Sequence, residues 1–258
     1  MKQYIKNLKK YSFLLEQLVK KEIKLKYRSS VLGIFWTLLE PFLTMLVLTL
    51  VFNGVYGRKS IDFPVYILTG RLLYTFFSNS TKACTKSIRR NAAMIKKVYV
   101  PKYIYPIASV LANYIMFVIS LVVLVITALA CKVWPTVYLL QAIVPLTILL
   151  IASLGVGLIL ATMAVFFRDL EYLWSVFLML IMYTCAIFYY PERLLDNNKG
   201  FILKLNPLYA MIHNFRDAVF GQPMDTYYLT YSTIFAVSSV VIGVIVFYKN
   251  QDKFILNI

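Results

Sequence analysis

Long apolar runs separated by short polar segments dominate the chain. A helix that crosses the roughly 30 Å hydrocarbon core of a bilayer needs about 20 mostly apolar residues. The runs of about this length are 32–54, 62–80, 104–130, 138–167, 171–190 and 229–248. Asp62 begins the second run and Arg71 interrupts it, and Pro145 offers a cause for a kink in the fourth. The pattern predicts an all-α integral membrane protein with six transmembrane helices.

The first 28 residues follow a helical period but are too polar to span a membrane. Their apolar residues recur at steps of three and four, opposite a face that carries Lys9, Glu16, Lys20 and Lys24. This pattern predicts an N-terminal amphipathic interface helix, with its lysines towards lipid headgroups. A solvated helix docked on a soluble partner would show the same pattern.

The longest segment outside the runs, 191–228, mixes apolar and polar residues. Apolar residues precede a break at Asn206-Pro207, and a helical pattern resumes from Leu208 to Phe220. Two short helices that dip into the membrane as an outer re-entrant hairpin would bury these side chains. Irregular backbone at membrane depth must face protein or a water-filled cavity, so we expect this hairpin to line an outer mouth. A loop lying on the membrane surface is the alternative.

Composition and charge agree with a membrane protein. The chain is 60% hydrophobic and 15% charged, whereas soluble domains are about 45–50% apolar and about 25% charged. The net charge of +16 is concentrated beside the apolar runs, which argues against nucleic-acid binding. With the N-terminus inside, the inner segments carry 19 of the 27 Lys and Arg residues and the outer segments carry 7. The positive-inside rule therefore predicts that both termini are cytoplasmic.

The sequence contains no motif for nucleotide hydrolysis or metal catalysis. It lacks GxxxxGK[ST], HExxH and GxSxG, and its eleven carboxylates form no DxD cluster. Three scattered cysteines and one histidine offer no Cys/His metal site. The six spans leave no segment for an ATPase or transferase domain. We therefore expect a single transmembrane domain, 1–258, with no catalytic residue, no metal ligand and no cofactor of its own.

Glu40 is the carboxylate deepest in an apolar run. A charge at that depth costs about 3 kcal/mol or more, so such residues usually face a partner or a cavity. Trp36 lies one helical turn earlier, and Pro41 leaves a backbone carbonyl without its helical donor. Two interpretations stay open, namely a residue of a transport pathway and a hydrogen-bonded structural glutamate. Arg71 is a candidate partner for it.

Aromatic residues are frequent near the ends of the apolar runs. At 16% of the chain they fit an interfacial belt, although flat rings also stack on the apolar faces of sugars along a passage. A separate ridge of small residues, Ser153, Gly157 and Ala161, recurs every four residues in the fourth run. Such a ridge lets another helix approach closely, so we expect a packing surface there.

The basic segment 82–102 carries apolar residues among its positive charges and ends at Pro101. A short helix from about Ser87 to Tyr99 would present those apolar residues to a groove on a cytosolic partner. The alternative is a loop that binds lipid headgroups.

Four short motifs, in their order and spacing, carry a resemblance. They are KYRSSVLGIFW at 26–36 with Glu40-Pro41 following, KKVYVP at 96–101, FRDL at 167–170 and LNPL at 205–208. With these motifs the chain resembles, essentially from end to end, the permease subunits of bacterial polysaccharide ABC exporters. That family, part of the type-2 exporter superfamily, exports O-antigen, capsular polysaccharide and teichoic acid.

The resemblance implies a homodimer in the bacterial cytoplasmic (inner) membrane, bound to two copies of a separate ATPase that holds ATP and Mg²⁺. Residues 1–28 correspond to the family's interface helix, 32–190 to spans one to five, 191–228 to its outer gate hairpin and 229–258 to the last span with a cytosolic tail. The substrate would be a polysaccharide on an undecaprenyl diphosphate carrier. The implied ATPase contacts, on a coupling helix at about 87–99, are Ile88, Met94, Ile95, Lys96, Val98 and Tyr99.

Two sets of substrate residues follow as hypotheses. Lys24, Lys26 and Arg28, beside the first span, would attract the carrier diphosphate. A second set would line the substrate pathway, where its rings stack on sugars. That set is Phe35, Trp36, Glu40, Tyr183, Tyr189 and Tyr190.

Other functions remain as alternatives. An exporter of a drug, a lipid or a teichoic acid belongs to the same class. A membrane-embedded glycan-processing enzyme would need a carboxylate cluster or an acid/base pair that the sequence lacks. A membrane scaffold without transport activity would not need the basic segment 82–102.

Overall fold

The computed structural model describes residues 10–56, 61–97, 100–191 and 200–257. Within these ranges every regular element is a helix. The α-helices are α1 (Ser12–Tyr27), α2 (Trp36–Tyr56), α3 (Phe63–Arg90), α4 (Ala92–Lys97), α5 (Ile104–Ala130), α6 (Ile143–Phe166), α7 (Leu170–Thr184), α8 (Phe201–Lys204), α9 (Pro207–Val219), α10 (Thr226–Asn250) and α11 (Phe254–Asn257). Short 3₁₀ segments at Gly33–Phe35, Val137–Ala142 and Gln251–Lys253 precede α2, α6 and α11.

Four helical segments in the described ranges are long and apolar enough to cross a membrane. They are Gly33–Phe52, Ile104–Ala130, Val137–Phe166 and Thr226–Lys253. These segments correspond to the first, third, fourth and sixth predicted runs, and Leu170–Thr184 is an apolar helix of shorter length. The predicted class, an all-α integral membrane protein, is confirmed.

The fifth predicted run, 171–190, is helical only as far as Thr184. Helix α7 has 15 residues and rises roughly 22 Å at about 1.5 Å per residue. Ala186 then adopts a φ of +47°, a left-handed conformation that an α-helix does not contain. The expectation of a helix through residue 190 is therefore wrong, because the chain bends directly after α7.

Helix α3 lies at the centre of the bundle and packs against α2, α5, α6, α7 and α9. It continues well beyond the predicted end at residue 80. Its buried hydroxyl groups bond to its own backbone, as where Thr81 Oγ1 donates to Phe77 O at 2.8 Å and Ser87 Oγ donates to Cys84 O at 2.8 Å. Because the surrounding helices shield it, α3 does not need an apolar side chain at every position.

Among the described helices, α6 and α10 share the most extensive contact. Two glycines allow it, since a Cβ on Gly155 would lie 2.5 Å from Val240 N and a Cβ on Gly243 would lie 2.6 Å from Gly155 O. The predicted small-residue ridge on α6 packs on a different neighbour. A Cβ on Gly157 would lie 2.7 Å from Cys84 Sγ of α3.

The helix expected from Ser87 to Tyr99 has the wrong boundaries. Helix α3 runs through Ser87, and Asn91 separates it from the six-residue α4. The Asn91 side chain donates to Ser87 O at 2.8 Å, and its backbone N–H donates to Ile88 O at 3.2 Å. These bonds close the last turn of α3 and let the chain change direction. Val98 and Tyr99, two of the implied ATPase contacts, lie outside the described residues.

Helix α1 occupies the described part of the predicted interface helix, while residues 1–9 lie outside the described ranges. It packs against α5 and buries Leu18 and Val19. On its exposed side Lys20 pairs with Glu16 at 2.6 Å. The predicted amphipathic helix therefore forms, and its apolar face covers the protein's own core.

Two short helices, α8 and α9, occupy residues 201–219, with the break at the predicted Asn206-Pro207. Asn206 Oδ1 accepts hydrogen bonds from the backbone N–H groups of Leu208 at 3.0 Å and Tyr209 at 3.4 Å. Pro207 fills the first helical position, where no N–H donor is required. Helix α9 packs against α3, α6 and α10, so it belongs to the bundle core at one end.

Candidate functional site

A polar cleft opens where the end of α1 meets α2, α3 and α5. Its empty volume is about 580 Å³, the open mouth included. Charged groups, amides and hydroxyls line it together with a few aromatic rings. The neutral polar residues in its wall are Thr37, Thr44, Thr75, Asn79, Asn113 and Ser120.

Three ionisable side chains, Lys26, Glu40 and Arg71, bring charge to this cleft. Desolvation lowers the pKa of Lys26 from its usual value, and the negative charge of Glu40 opposes part of that shift. Among the described residues Glu40 forms no ion pair, and Arg71 Nη1 donates to Met182 Sδ at 3.4 Å. Glu40 and Arg71 therefore line the same cleft, but in the described part of the chain they do not form an ion pair. The cleft contains two cations, Lys26 and Arg71, and one carboxylate, Glu40.

The neutral part of the wall suits a ligand rich in hydroxyl groups. Asn113 Nδ2 donates to Ser109 O at 2.8 Å and Ser120 Oγ donates to Phe117 O at 2.7 Å. Both side chains keep an acceptor oxygen for another molecule. The Phe76 and Phe117 rings lie nearby with centroids 5.1 Å apart. Hydroxyls, amides and ring faces together match the polar edges and apolar faces of a sugar.

Only one of the three cations expected to attract a diphosphate lines the cleft. Lys26 belongs to its wall, whereas Lys24 and Arg28 do not. All three side chains are exposed at the end of α1. Lys24 and Arg28 each lie two residues from Lys26 along the chain.

The predicted pathway aromatics form two groups far apart. Phe35 and Trp36 are exposed where α2 begins, beside the cleft residues Thr37 and Glu40. Phe52, sixteen residues further along α2, stacks on Phe188 with centroids 5.3 Å apart. A helical rise of about 1.5 Å per residue puts roughly 24 Å between these two levels. The segment around Phe188 contains Tyr183, Tyr189 and Tyr190.

An ion-pair network surrounds the corner between α3 and α4. Glu171, at the start of α7, binds Arg89 and also Lys86, whose Nζ lies 3.3 Å from Glu171 Oε2. Arg90 Nη1 lies 3.1 Å from Glu22 Oε2 of α1. The corner is therefore tied to α1 on one side and to α7 on the other. The sequence contained no pattern that pairs these residues, which are up to 85 positions apart (Lys86 and Glu171).

The implied ATPase contacts at this corner differ in exposure. Ile88 and Ile95 are buried in the protein's own core, with 1% and 7% of their surface exposed, and Met94 is partly buried against it. This differs from the expected apolar face turned towards a partner. Lys96 and Lys97 are the exposed charged residues of α4.

Comparison with known proteins relates these features to a family. The model of the ABC-2 type transporter family matches residues 14–220. The O-antigen export system permease protein RfbA of Myxococcus xanthus is 32% identical over 217 residues, which cover 84% of each chain. A protein of the same name from Klebsiella pneumoniae is 27% identical over 93% of each chain. The polysialic acid transport protein KpsM of Escherichia coli is 26% identical over 93% of this chain and 94% of its own. This chain belongs to the ABC-2 type transporter family.

Proposed function

We propose that this chain is the permease subunit of an ABC exporter that moves a lipid-linked, O-antigen-like polysaccharide from the cytosolic side across the cytoplasmic membrane. The observation that carries the proposal is its similarity, over most of its length, to permeases named for O-antigen export and polysialic acid transport. The polar cleft agrees with this function, because it combines two cations with sugar-compatible groups. A separate ATPase subunit, with its ATP and Mg²⁺, supplies the energy.

The six-span arrangement is part of this proposal. The 28 residues of α3 rise roughly 42 Å at about 1.5 Å per residue, which exceeds the hydrocarbon core of about 30 Å. Helix α7 and the bend after it form the fifth span. Both termini and the corner between α3 and α4 then lie on the cytosolic side, and α8 and α9 lie on the outer side as a re-entrant pair.

A homodimer with two ATPase copies completes the assembly. Helices α2 and α7 expose large apolar side chains, such as Leu50 at 77% and Val176 at 69%. Two copies that turn these helices towards each other would enclose a passage between them. The ATPase docks at the two α4 corners, where Lys96 and Lys97 are exposed.

The cleft acts as the cytosolic receiving site for the carrier-linked end of the polymer. Lys26 and Arg71 attract the diphosphate, since charge-assisted bonds to phosphate are the strongest polar contacts available there. Amide and hydroxyl groups hold the first sugar. Lys24 and Arg28 raise the local concentration of the anion at the approach to the cleft.

Export in a bacterial host that lacks its own polysaccharide permease tests the proposal, with the cognate ATPase supplied. Replacing Lys24, Lys26 and Arg28 together with glutamine should reduce surface polymer by about tenfold or more, because bonds to charged groups contribute about 1.5–3 kcal/mol each. The matched control, in which Lys20, Lys249 and Lys253 become glutamine, removes the same charge from other exposed positions. Export should persist there.

The outcomes separate the parts of the proposal. Both triple variants should co-purify with the ATPase, because neither touches α4. Equal export by the two triple variants would reject the role of the cations. A wild-type chain that neither binds an ABC ATPase nor restores any surface polymer would reject the polysaccharide exporter itself.

A further inference from the structure

The bend after α7, residues 185–190, is buried over its first four residues and conformationally unusual. Cys185, Ala186 and Ile187 have no exposed surface. Ala186 adopts a φ of +47°, a conformation that residues with a Cβ seldom keep unless their surroundings impose it. The contacts around the bend must therefore hold it in this form.

The Tyr66 side chain of α3 makes several of those contacts, and Asn206 adds another by donating Nδ2 to Cys185 Sγ at 3.2 Å. Its hydroxyl oxygen lies 3.0 Å from Ala186 O and 2.9 Å from Tyr189 O, so a single donor serves both carbonyls of the bend. The Tyr66 ring also contacts the Tyr190 ring, with centroids 4.6 Å apart. Tyr189 in turn donates its hydroxyl to Tyr183 O at 2.8 Å. Tyr66 of α3 thus contacts Tyr189 and Tyr190 directly and is linked to Tyr183 through Tyr189.

Arg216 of α9 holds Tyr66 in place. Its guanidinium carbon lies 3.6 Å from the centroid of the Tyr66 ring. Nη2 donates to Tyr66 O at 3.2 Å, and Nε donates to Thr69 Oγ1 at 3.4 Å. A Cβ at position 70 would lie only 2.6 Å from Nη2, so Gly70 is what makes room for the guanidinium.

Arg216 is unusual for a buried cation because it contacts an aromatic ring and not a carboxylate. It is 7% exposed, and in the described part of the chain no carboxylate pairs with it. A cation without a counterion at such a site relies on the aromatic ring and on backbone and hydroxyl oxygens. Any movement of α9 that withdraws the guanidinium therefore also releases Tyr66 and, through it, the bend.

We propose that Arg216 and Tyr66 form a latch by which α9 positions the bend and its tyrosines. Both are positioning residues, since they act on the passage through residues 183–190. The latch itself is a property of the fold. Its effect on export rests on the proposed function, in which these tyrosines lie at the outer mouth of the passage.

Alkylation of Cys185 by a small maleimide reports the latch without requiring transport. The experiment uses the full chain in membranes and a Cys131→Ser background, because Cys131 is the one partly exposed cysteine. Tyr66→Phe removes only the hydroxyl that joins α3 to the bend, and we expect Cys185 to be alkylated about tenfold faster. Arg216→Lys keeps the charge but loses the planar, stacking guanidinium, and it should accelerate alkylation likewise.

Tyr74→Phe is the matched control. The Tyr74 hydroxyl is also buried and donates from α3 to a backbone oxygen of α7, Leu178 O, at 2.9 Å. It lies close enough to Cys185 to interact with that thiol electrostatically, but its hydrogen bond ends on α7 and not on a carbonyl of the bend. It should leave Cys185 as slow to react as in the wild-type chain. Equal rates in Tyr66→Phe and Tyr74→Phe would overturn the latch, and so would an equal rise at the buried Cys84, which reports loosening of the whole bundle.

Export by the same variants tests the positioning role. It should fall in Tyr66→Phe and Arg216→Lys and stay near the wild-type level in Tyr74→Phe. Faster alkylation of Cys185 with wild-type export in all variants would overturn the role of the latch in transport. A failure of the exporter proposal would appear differently, as loss of export in every chain, wild type included, with the alkylation pattern intact.

Discussion

Replacing Gly155 with alanine tests how closely α6 and α10 approach each other. The new Cβ would lie 2.4 Å from Ser239 Oγ and 2.5 Å from both Ser239 C and Val240 N. Ordinary van der Waals contact begins at 3.4 Å, so α10 has to retreat by roughly 1 Å. Two of the three close atoms belong to the backbone of α10, and no side-chain rotation relieves them.

The expected loss follows from this retreat. A gap of about 0.5–1 Å forfeits roughly a quarter to a half of the dispersion energy of the atoms concerned. Overpacking costs about 1–3 kcal/mol, and we expect the upper end because close packing is what holds helices together in lipid. At about 2–4 °C per kcal/mol for a chain of this size, the apparent melting temperature should fall by roughly 6–12 °C.

The assay is the loss of monodisperse protein in detergent with rising temperature. Gly157→Ala is the matched control on the same helix, since its close contact is a side chain, Cys84 Sγ at 2.7 Å. Adding Cys84→Ala should return Gly157→Ala to the melting temperature of Cys84→Ala alone. Adding Ser239→Ala should not rescue Gly155→Ala, because the backbone contacts remain. Full rescue there, or a melting temperature of Gly155→Ala equal to that of the wild type, would refute the reasoning.

Three further predictions concern single side chains. Asn206→Ala removes the N-cap of α9 and the Nδ2 bonds to Thr184 and Cys185. Loss of the cap alone should destabilise the protein by about 1 kcal/mol, read as a lower melting temperature. Asn206→Asp loses the same Nδ2 bonds but keeps the cap acceptor, so it should lose less stability, and equal losses would contradict the cap. Glu171→Gln removes the carboxylate that binds two cations at the α3–α4 corner. Export should fall by about tenfold, while co-purification with the ATPase stays unchanged. Unchanged export would contradict a role of this ion-pair network in coupling the ATPase to transport. Glu40→Gln removes the negative charge that raises the pKa of Lys26. The pKa of Lys26 should then fall further, so that more of its amine is neutral at pH 8. Mass spectrometry should therefore show faster acylation of Lys26, with the acylation rate of Lys20 unchanged. Slower acylation would exclude this electrostatic effect.

The fold was predictable where lipid is the solvent of a helix. Helices α5, α6 and α10 each present apolar side chains over a membrane-spanning length, and apolar length alone indicates them. The position of α3 was harder to read, because other helices surround it and its polar side chains bond within the helix. The bend after α7 had no local signal at all, since Tyr66, which contacts Ala186, lies 120 positions earlier in the chain.

The residues of the candidate site likewise fall into those that could be predicted from the sequence and those that could not. Glu40, Arg71 and Lys26 were predictable because an ionisable residue in or beside an apolar run is costly unless it faces a cavity, and one cleft brings the three together. No sequence pattern marked Arg216 as functional, since it lies in the segment 191–228, which was expected to lie partly at the surface. Its burial depends on the missing side chain at Gly70, and such a match between two distant positions exists only in the folded chain.

The short length of α7 sets the height of the passage that the proposed dimer would enclose. Helix α5, with 27 residues, rises roughly 40 Å, whereas α7, with 15 residues, rises roughly 22 Å. Because α7 faces the partner copy in that arrangement, the wall that it contributes is shorter than the hydrocarbon core of about 30 Å. Water can then enter the passage from either end, so a polar polymer is shielded from water over a distance smaller than the thickness of the bilayer.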